Sequence, residues 1–303
     1  MIENTRAINR AALIVLGVAC LFILGPLVLV VITATQGYGQ FLREGFSLRP
    51  GAHLWANFVT VWEVTPLPLQ LWNSLVVAAG VTLGKMFLAF TTAYAVVFFR
   101  ARYGALVYAA VLASIMLPLD LMVITAYQVS ANVALPVNAV ANAGGLWAAL
   151  TGAPMGLKLS ILDSYAGIIL PLLSTGTGTL TLVQFMRTLP VDLARAATMD
   201  GAGPLRFMWD VVLPLSKGPM TALLIYFFIG AWGQFLWPLV VASTPEMHTA
   251  VVGLTRLDVG AEEEQIPNFP LRMAGAILVS IIPLVMIAIF QRRIVAGLTY
   301  SDK

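Results

Sequence analysis

Charged side chains are scarce in this 303-residue sequence, where Asp, Glu, Lys and Arg together make up 10% of the residues. An ordinary soluble domain carries about 25%. Hydrophobic residues make up 59% of the chain, and the mean hydropathy is +0.89. A soluble protein of this size has too much surface to cover with so few charges, and a disordered chain would contain far fewer apolar residues. The composition therefore indicates a polytopic membrane protein.

Cysteine and histidine are nearly absent, since the sequence has one cysteine, Cys20, and two histidines. One cysteine excludes an intrachain disulfide, and so few, widely separated sulfur and imidazole groups make no credible metal site. The apolar segments contain no Ser-His-Asp or paired-carboxylate set, so an intramembrane enzyme is poorly supported. The net charge of +3 does not indicate a nucleic-acid partner, because the cations are scattered and follow the apolar segments.

Long apolar segments are what the sequence has in place of charge. Crossing a bilayer as a helix takes about 20 residues. Six segments are long and apolar enough: 11–35, 71–99, 104–127, 164–186, 218–242 and 273–290. They predict an all-α protein with six transmembrane helices in a single transmembrane domain over residues 1–303. The first segment is predicted to be an uncleaved anchor, because its apolar run is too long for a cleaved signal and no clear small-x-small cleavage site follows it.

The positions of Lys and Arg predict the orientation, since cations accumulate on the cytoplasmic side of a membrane. With the N-terminus in the cytoplasm, the inside segments hold most of the 17 Lys and Arg residues. Both termini are then cytoplasmic. The outside loops are 36–70, 128–163 and 243–272, and the middle one could hold a surface helix near Leu146–Leu150. The one substantial cytoplasmic loop is 187–217.

Within that loop, residues 190–217 predict two short helices separated by a glycine break. Pro190 and Asp192 are typical of a helix start. Gly201 is typical of a helix end, where a left-handed residue is often needed. Pro204 suits the first turn of the second helix. From these residues alone, an amphipathic connector lying on the membrane is as good an interpretation as a helix that contacts a partner.

The stretch Leu193–Pro214 resembles the EAA loop of binding-protein-dependent ABC import permeases, which runs Glu-Ala-Ala-x-x-x-Gly and, after a long spacer, Ile-x-Leu-Pro. The residues that match the sugar-permease version are Ala196, Ala197, Asp200, Gly201, Ala202, Phe207, Leu213 and Pro214. The resemblance implies the type I ABC importer permease fold. It also implies a location in the bacterial inner membrane and a coupling contact with an ATPase subunit.

The implied ATPase contact is made by Arg195, Ala196, Ala197, Asp200, Gly201 and Ala202. Arg195 departs from the family, because it occupies the glutamate position and reverses the charge there. A salt bridge of the family's kind is therefore not expected at Arg195. A slim helix formed around Ala196 and Ala197 and ended by Gly201 can still enter a groove on the ATPase.

The resemblance extends along most of the chain, and within the carbohydrate-uptake subfamily it is closest to permeases of sn-glycerol-3-phosphate importers. The matching pieces are Met1–Asn4, Thr82–Lys85, Leu162–Gly167, Pro214–Lys217 and the tail from Gly297 to Lys303. The resemblance implies as partners a second permease, two ATPase subunits and an extracytoplasmic solute-binding protein. It implies no cofactor in this chain.

A glycine-rich stretch in the second span, Gly80-x-x-x-Gly84-Lys85, does not fit a phosphate-binding loop. It has too few residues between the glycines, and Met86 follows the lysine where Ser or Thr is required. ATP is therefore expected to be bound and hydrolysed by the partner subunits, and this chain is expected to be non-catalytic.

Lys85 itself is a candidate for the substrate path, because an ionisable residue inside a span is costly and usually functional. It lies roughly 22 Å along a helix from Arg100, and Asp120 lies roughly 27 Å from Arg102, at 1.5 Å per residue. The two side chains are thus expected at comparable depth. Three interpretations stay open: a Lys85–Asp120 pair that fixes helix packing, a cation that lines the path of an anionic substrate, or a lysine that snorkels.

The fifth span contains Trp232-Gly233-Gln234, which resembles the family's Trp-Asn-Glu/Gln motif with glycine in place of asparagine. Trp232 and Gln234 are therefore candidates for the wall of the substrate path, and plain helix packing is the alternative. The sequence as a whole predicts a permease subunit of an ATP-driven importer, with sn-glycerol-3-phosphate as the substrate. The alternatives are a permease for a neutral sugar or oligosaccharide and, in another class, a secondary transporter without ATPase partners, although no internal repeat supports the latter.

Overall fold

The computed structural model describes residues 5–99, 104–115, 122–174, 176–257 and 266–298. Within these ranges the regular structure is helical throughout, which confirms the all-α prediction. The α-helices are α1 (Thr5–Thr35), α2 (Tyr38–Glu44), α3 (Leu54–Val64), α4 (Leu67–Phe98), α5 (Gly104–Ile115), α6 (Val123–Ala131), α7 (Leu135–Asn142), α8 (Leu146–Thr151), α9 (Tyr165–Leu172), α10 (Gly176–Arg187), α11 (Val191–Met199), α12 (Pro204–Phe207), α13 (Leu213–Leu215), α14 (Lys217–Trp232), α15 (Leu236–Val241), α16 (Ala250–Thr255) and α17 (Phe269–Leu298).

Three of the described helices, α1, α4 and α17, are each long and apolar enough to cross a membrane by themselves. Three further spans result if each bent pair of helices counts as one: α6 with α7, α9 with α10, and the 204–215 helical segment with α14. The polytopic helical architecture is therefore the predicted one, with up to six spans. The short helices α2, α3 and α8 lie in segments that the sequence assigns to loops.

Packing groups the chain into two compact units, one formed by Met1–Leu69 and Gly253–Ile282, the other by Gln70–Val252 and Pro283–Lys303. In the first unit Gln36 closes the turn after α1, because its side-chain amide nitrogen, Nε2, donates to Ser47 Oγ at 3.0 Å and to the Arg49 carbonyl at 2.9 Å. Phe41 packs against Phe269 with ring centroids 5.3 Å apart. The prediction of one domain over residues 1–303 stays a prediction.

The core of the second unit lies where the C-terminal half of α4 meets α10, α14 and the helical segment that begins at Pro204. Its fully or nearly fully buried members are Met86, Ala89, Phe90, Ala93, Tyr94, Leu182, Val183, Met186, Phe207, Met208, Val212, Leu223 and Phe227. These side chains are as much as 141 residues apart in the sequence, from Met86 to Phe227. Burying them against one another fixes the helices that carry the candidate coupling and path residues.

The segment predicted as a continuous fifth span, 218–242, is interrupted in the structure. Helix α14 ends at Trp232, residues Gly233–Phe235 leave the helix, and α15 begins at Leu236. Pro238 supplies the physical reason, because it has no N–H to donate to the carbonyl of Gln234 and its ring would clash there in a continuous helix. Gly233, where the family has asparagine, adds a residue with poor helix propensity.

Pro214 has a comparable effect near the start of α14. The turn Met208–Val212, between α12 and α13, is π-helical, and the Leu213 N–H bonds to the carbonyl of Met208. Because Pro214 lacks an N–H, the carbonyl of Asp210 cannot receive its ordinary α-helical bond, and a widened turn accommodates this. The helical segment Pro204–Leu215 then meets α14 at a bend of 76°.

Candidate functional site

The predicted coupling helix forms as α11, and residues 190–203 are called here the coupling segment. Pro190 precedes the first turn of α11, and Asp192 lies within that turn. Gly201 has φ of 74°, which confirms the prediction of a left-handed residue at the helix end. The N–H of Ala202 donates to the carbonyl of Ala197 at 2.9 Å across this glycine, so the carbonyl groups at the end of α11 find partners.

Helix α11 presents an exposed surface, since it has no fully buried residue. Ala194 and Ala197 are half-buried against the core of the second unit, whereas Ala196 is exposed. The Arg195 guanidinium pairs with the Asp192 carboxylate of the same helix at 3.1 Å, and both side chains are exposed. An exposed pair of this kind adds little stability, so Arg195 stays available for an acidic group on a partner.

The coupling segment is joined to the core by the residues that follow it. The hydroxyl of Tyr94, near the end of α4, donates to the carbonyl of Pro204 at 2.7 Å. The ring of Phe207 packs edge-on against Phe98, which also belongs to α4, with centroids 5.3 Å apart. Sequence reasoning did not single out Tyr94 or Phe98, and the one available signal was an aromatic cluster at the end of the second span.

A cavity of about 720 Å³ lies within the second unit, and Lys85 lines it. Its other lining residues are Met122, Thr125, Ala126, Val129, Ser130, Val133, Ile161, Leu170, Pro171, Leu172, Ser174, Gly176, Thr177, Tyr226, Phe227 and Gln234. Among the described residues that line this cavity, Lys85 is the one charged side chain. Its Nζ lies 5.6 Å from the centroid of the Phe227 ring, an aromatic face that favours a nearby cation.

The predicted path residues are therefore only partly brought together. Lys85 and Gln234 line the same cavity, and the break in the helix after Trp232 gives Gln234 a half-buried position there. Trp232 is buried, stacks on Phe228 with centroids 5.9 Å apart, and is absent from the cavity lining. Its indole N–H has no hydrogen-bond partner among the described residues. Asp120 and the proposed Lys85–Asp120 pair lie outside the described residues.

The Leu162–Gly167 motif, which matches the family in sequence, joins two segments of the second unit through Asp163. Asp163 has φ of 54°, and its Oδ1 accepts hydrogen bonds from the N–H groups of Ser243 and Thr244 at 2.9 and 3.0 Å. These bonds, that from Thr244 above all, with a smaller contribution from His248, hold the pKa of the Asp163 carboxyl below its usual value. Asp163 therefore ties the start of α9 to the segment that follows α15.

Asn73, near the start of α4, ties the same region to α4. Its Nδ2 donates to the carbonyl groups of Glu246 and His248 at 2.6 and 3.0 Å, and its Oδ1 accepts from the Tyr165 hydroxyl at 2.6 Å. This network holds the 243–250 segment at one end of the second unit. It consists of neutral, hydrogen-bonded groups and provides positioning rather than chemistry.

Comparison with known proteins gives consistent results. Residues 6–300 match the family described as binding-protein-dependent transport system inner membrane component. The chain is 35% identical over 310 residues to the sn-glycerol-3-phosphate transport system permease protein UgpE of Yersinia pestis bv. Antiqua (strain Antiqua), with both chains covered fully. It is 32% identical over 310 residues to the protein of the same name from Brucella melitensis biotype 1, again over 100% of both.

Among solved structures, the chain is similar to one chain of a bacterial ABC transporter involved in the import of the acidic polysaccharide alginate. The TM-score is 0.71 and the identity 18%, with 97% of this chain and 98% of that chain covered. At that identity the likeness shows the fold, which is the ABC importer permease fold expected from the sequence.

Proposed function

This chain belongs to the family of binding-protein-dependent transport system inner membrane components, and from that membership we propose that it is one of two permease subunits of an ATP-driven sn-glycerol-3-phosphate importer. The proposed assembly has this chain, a second permease, two ATPase subunits and an extracytoplasmic solute-binding protein. Full-length relatives named as sn-glycerol-3-phosphate permeases support the substrate class. The chain carries the pathway and the coupling contact, and the partner subunits bind and hydrolyse ATP.

The coupling contact is assigned to α11 in the proposed assembly. Closure of the two ATPase subunits on ATP pushes the exposed face of α11, and the core residues beneath it carry the displacement to the membrane-crossing helices. Small side chains at Ala196 and Ala197 let a groove on the ATPase approach the helix backbone. With both termini in the cytoplasm, as the distribution of cations predicts, the coupling segment lies on the ATPase side.

The positive charge of Lys85 is the feature of the cavity that supports an anionic substrate. Lys85 is the one charged side chain among the described residues lining the 720 Å³ cavity, so a phosphate group entering that cavity meets an ammonium group there. Contacts between an ammonium and a phosphate are charge-assisted and stronger than neutral hydrogen bonds. The Gln234 amide and the hydroxyl groups of Thr125, Ser174 and Thr177 are suited to the hydroxyl groups of the glycerol end.

Transport by the reconstituted complex tests the proposal. The complex of this chain with its partner permease, ATPases and binding protein is placed in liposomes, and uptake of labelled sn-glycerol-3-phosphate is compared with uptake of maltose. Uptake of the phosphate ester that requires both ATP and binding protein is the expected result. Uptake of maltose alone would favour the neutral-sugar alternative, and uptake without ATPase subunits would favour a secondary transporter.

A further inference from the structure

Three asparagines hold the 132–159 segment in a fixed shape. The side chain of Asn138 accepts from the Leu157 N–H at 3.2 Å and donates to the Leu157 carbonyl at 2.8 Å. Asn142 does the same for Met155, at 2.8 and 3.1 Å. Asn132 accepts from the Leu159 N–H at 3.0 Å and donates to the Leu157 carbonyl at 3.1 Å. Residues 132–159 are called here the asparagine-clipped hairpin.

These side chains satisfy the backbone of a stretch that has no regular structure. Residues 154–159 have no regular secondary structure, and backbone of this kind normally bonds its N–H and C=O groups to water. Here alternate residues of this stretch, Met155, Leu157 and Leu159, bond to asparagine side chains instead. Irregular backbone tolerates an environment poor in water only when its polar groups are paired within the protein.

The outer surface of the hairpin is largely apolar, and Lys158, near its C-terminal end, is its one charged residue. No charged residue lies between Asp120 and Lys158 in the sequence. On α7, Asn138 and Asn142 share one face, because they are four residues apart, and Val137 and Val140 lie on roughly the opposite face. The most exposed apolar side chains of the two short helices are Val140, at 78%, and Leu150 of α8, at 76%. Trp147 is also exposed on α8.

The direction of α7 follows from the preceding helix. Helix α6 begins within the third predicted span, 104–127, and α6 and α7 together have the length and composition of a membrane-crossing segment but meet at 78°. If α6 follows the membrane normal, α7 therefore runs close to the membrane plane. Helix α6 also carries exposed apolar residues, such as Ile124.

We propose that the asparagine-clipped hairpin is a lipid-facing element that lies in the membrane interface, with Val140 and Leu150 directed into the hydrocarbon. Interfacial helices lie in the membrane plane with one apolar face immersed, and tryptophan is favoured at that depth. The absence of charge from residue 121 to residue 157 distinguishes this segment from a surface for a soluble binding protein, which would be solvated whenever that protein dissociates. The proposal does not depend on the identity of the transported solute.

Fluorescence quenching in the reconstituted complex tests this placement. In a Cys20→Ala background, Val140→Cys and, separately, Leu150→Cys are labelled with an environment-sensitive fluorophore. The complex is placed in nanodiscs with or without lipids that carry a nitroxide on the acyl chain. Leu48→Cys is the matched control, because Leu48 is a large exposed apolar residue in a segment flanked by Glu44 and Arg49.

The expected result is loss of fluorescence with nitroxide lipids at positions 140 and 150, weak quenching there by aqueous iodide, and the opposite pattern at position 48. Iodide quenching at 140 and 150 as strong as at 48 would overturn the proposal. So would protection from both quenchers, which would indicate a protein cover. Protection that appears only when binding protein is added would assign the surface to that protein. ATPase activity stimulated by the binding protein, measured on the same samples, is a separate readout, so failure of coupling and failure of membrane contact are distinguishable.

Discussion

The phenolic hydroxyl of Tyr94 donates a 2.7 Å hydrogen bond to the carbonyl oxygen of Pro204, 110 residues further along the chain. Tyr94 is buried near the end of α4, and Pro204 opens the helical segment directly after the coupling segment. A displacement of α11 therefore reaches a membrane-crossing helix through a directional bond as well as through packing. Such a contact suits a coupling element better than an apolar contact, because it resists sliding.

Tyr94→Phe is expected to weaken coupling while the complex still assembles. It removes one hydrogen bond and leaves the Pro204 carbonyl without its partner, a change worth about 1 kcal/mol. Binding-protein-stimulated ATPase activity and uptake should both fall, and basal ATPase activity should persist. Tyr108→Phe is the control, because it keeps the ring that lies 5.1 Å from the Arg187 guanidinium carbon. Equal losses in the two variants would argue against a specific role for the Tyr94 bond.

Gly201→Val is expected to uncouple transport. The φ of 74° at Gly201 places a β-branched side chain in a conformation that costs about 1–2 kcal/mol, so the end of α11 must rearrange. Gly203→Val is the matched control, since Gly203 has extended angles of −71° and 167° that valine adopts readily. Stimulated ATPase activity and uptake should drop for Gly201→Val only, with insertion unchanged. Full coupling in Gly201→Val would remove the coupling segment from the mechanism.

Asp163→Asn is expected to remove an acid-sensitive component of stability. The folded-state pKa of Asp163 is lowered from 3.8 by the N–H groups of Thr244 and Ser243. A lowered pKa contributes stability above the unfolded-state value, and that contribution is lost as the pH falls through the folded-state value. The native protein should therefore lose protection of the 243–244 amides below about pH 4. Hydrogen exchange measures this directly.

The contribution of Asp163 is small, below about 1 kcal/mol, because the carboxylate is largely solvated and screened. Asparagine keeps an oxygen acceptor and tolerates positive φ, so the variant should show similar amide protection at neutral pH and little change on acidification. Asp163→Ala loses the acceptor as well and should expose the 243–244 amides at every pH. Identical acid responses in the native protein and Asp163→Asn would contradict the assignment.

Lys85→Met is expected to raise the KM for sn-glycerol-3-phosphate. Loss of a charge-assisted contact with the phosphate corresponds to roughly a 10- to 100-fold effect. Lys85→Arg keeps the charge and should retain most of the uptake. The double variant Lys85→Met with Asp120→Leu separates the open interpretations, because a paired lysine and aspartate can often be replaced together by apolar residues. A stable double variant with normal uptake would make Lys85 structural, and a stable one that has lost uptake would place Lys85 on the path.

Gly167→Ala is expected to destabilise the second unit. A Cβ at Gly167 would overlap the backbone carbonyl of Ile161, which cannot move aside cheaply. The expected cost is about 1–3 kcal/mol, typical of overpacking. Gly218→Ala is the control, because the same atom at Gly218 meets nothing within 4 Å in a helix. Thermal unfolding of the purified complex in detergent should show a lower midpoint for Gly167→Ala and an unchanged midpoint for Gly218→Ala.

Local signals in the sequence were sufficient where one residue sets the backbone. Gly201 and Pro204 correctly mark the end of α11 and the start of the next helix, because positive φ and a missing N–H are properties of single residues. The prediction of a continuous span over 218–242 does not include the break after Trp232. Pro238 is the local signal for that break, but hydropathy averaged over a window is insensitive to one proline among apolar residues.

Contacts between distant residues could not be predicted in the same way. Nothing near Tyr94 indicates a bond to Pro204, and the Asp163 carboxylate gives no sign that Ser243 and Thr244 lie opposite it. Lys85 is a candidate because it is ionisable within an apolar span, and Gln234 because it matches the family's Trp-Asn-Glu/Gln motif, and both are local properties of the sequence. That they line one cavity is a consequence of tertiary packing around Phe227.

The asparagine-clipped hairpin also begins and ends at one place. The Val133 N–H bonds to the Leu159 carbonyl at 2.8 Å, and just outside this pair the Ile161 N–H bonds to the Ser130 carbonyl at 2.9 Å. Its two ends are therefore already adjacent, as at the base of an insertion that a shorter turn can replace. A short turn that joins Ser130 to Ile161 in place of the hairpin is therefore expected to leave the register of α6 and α9 unchanged.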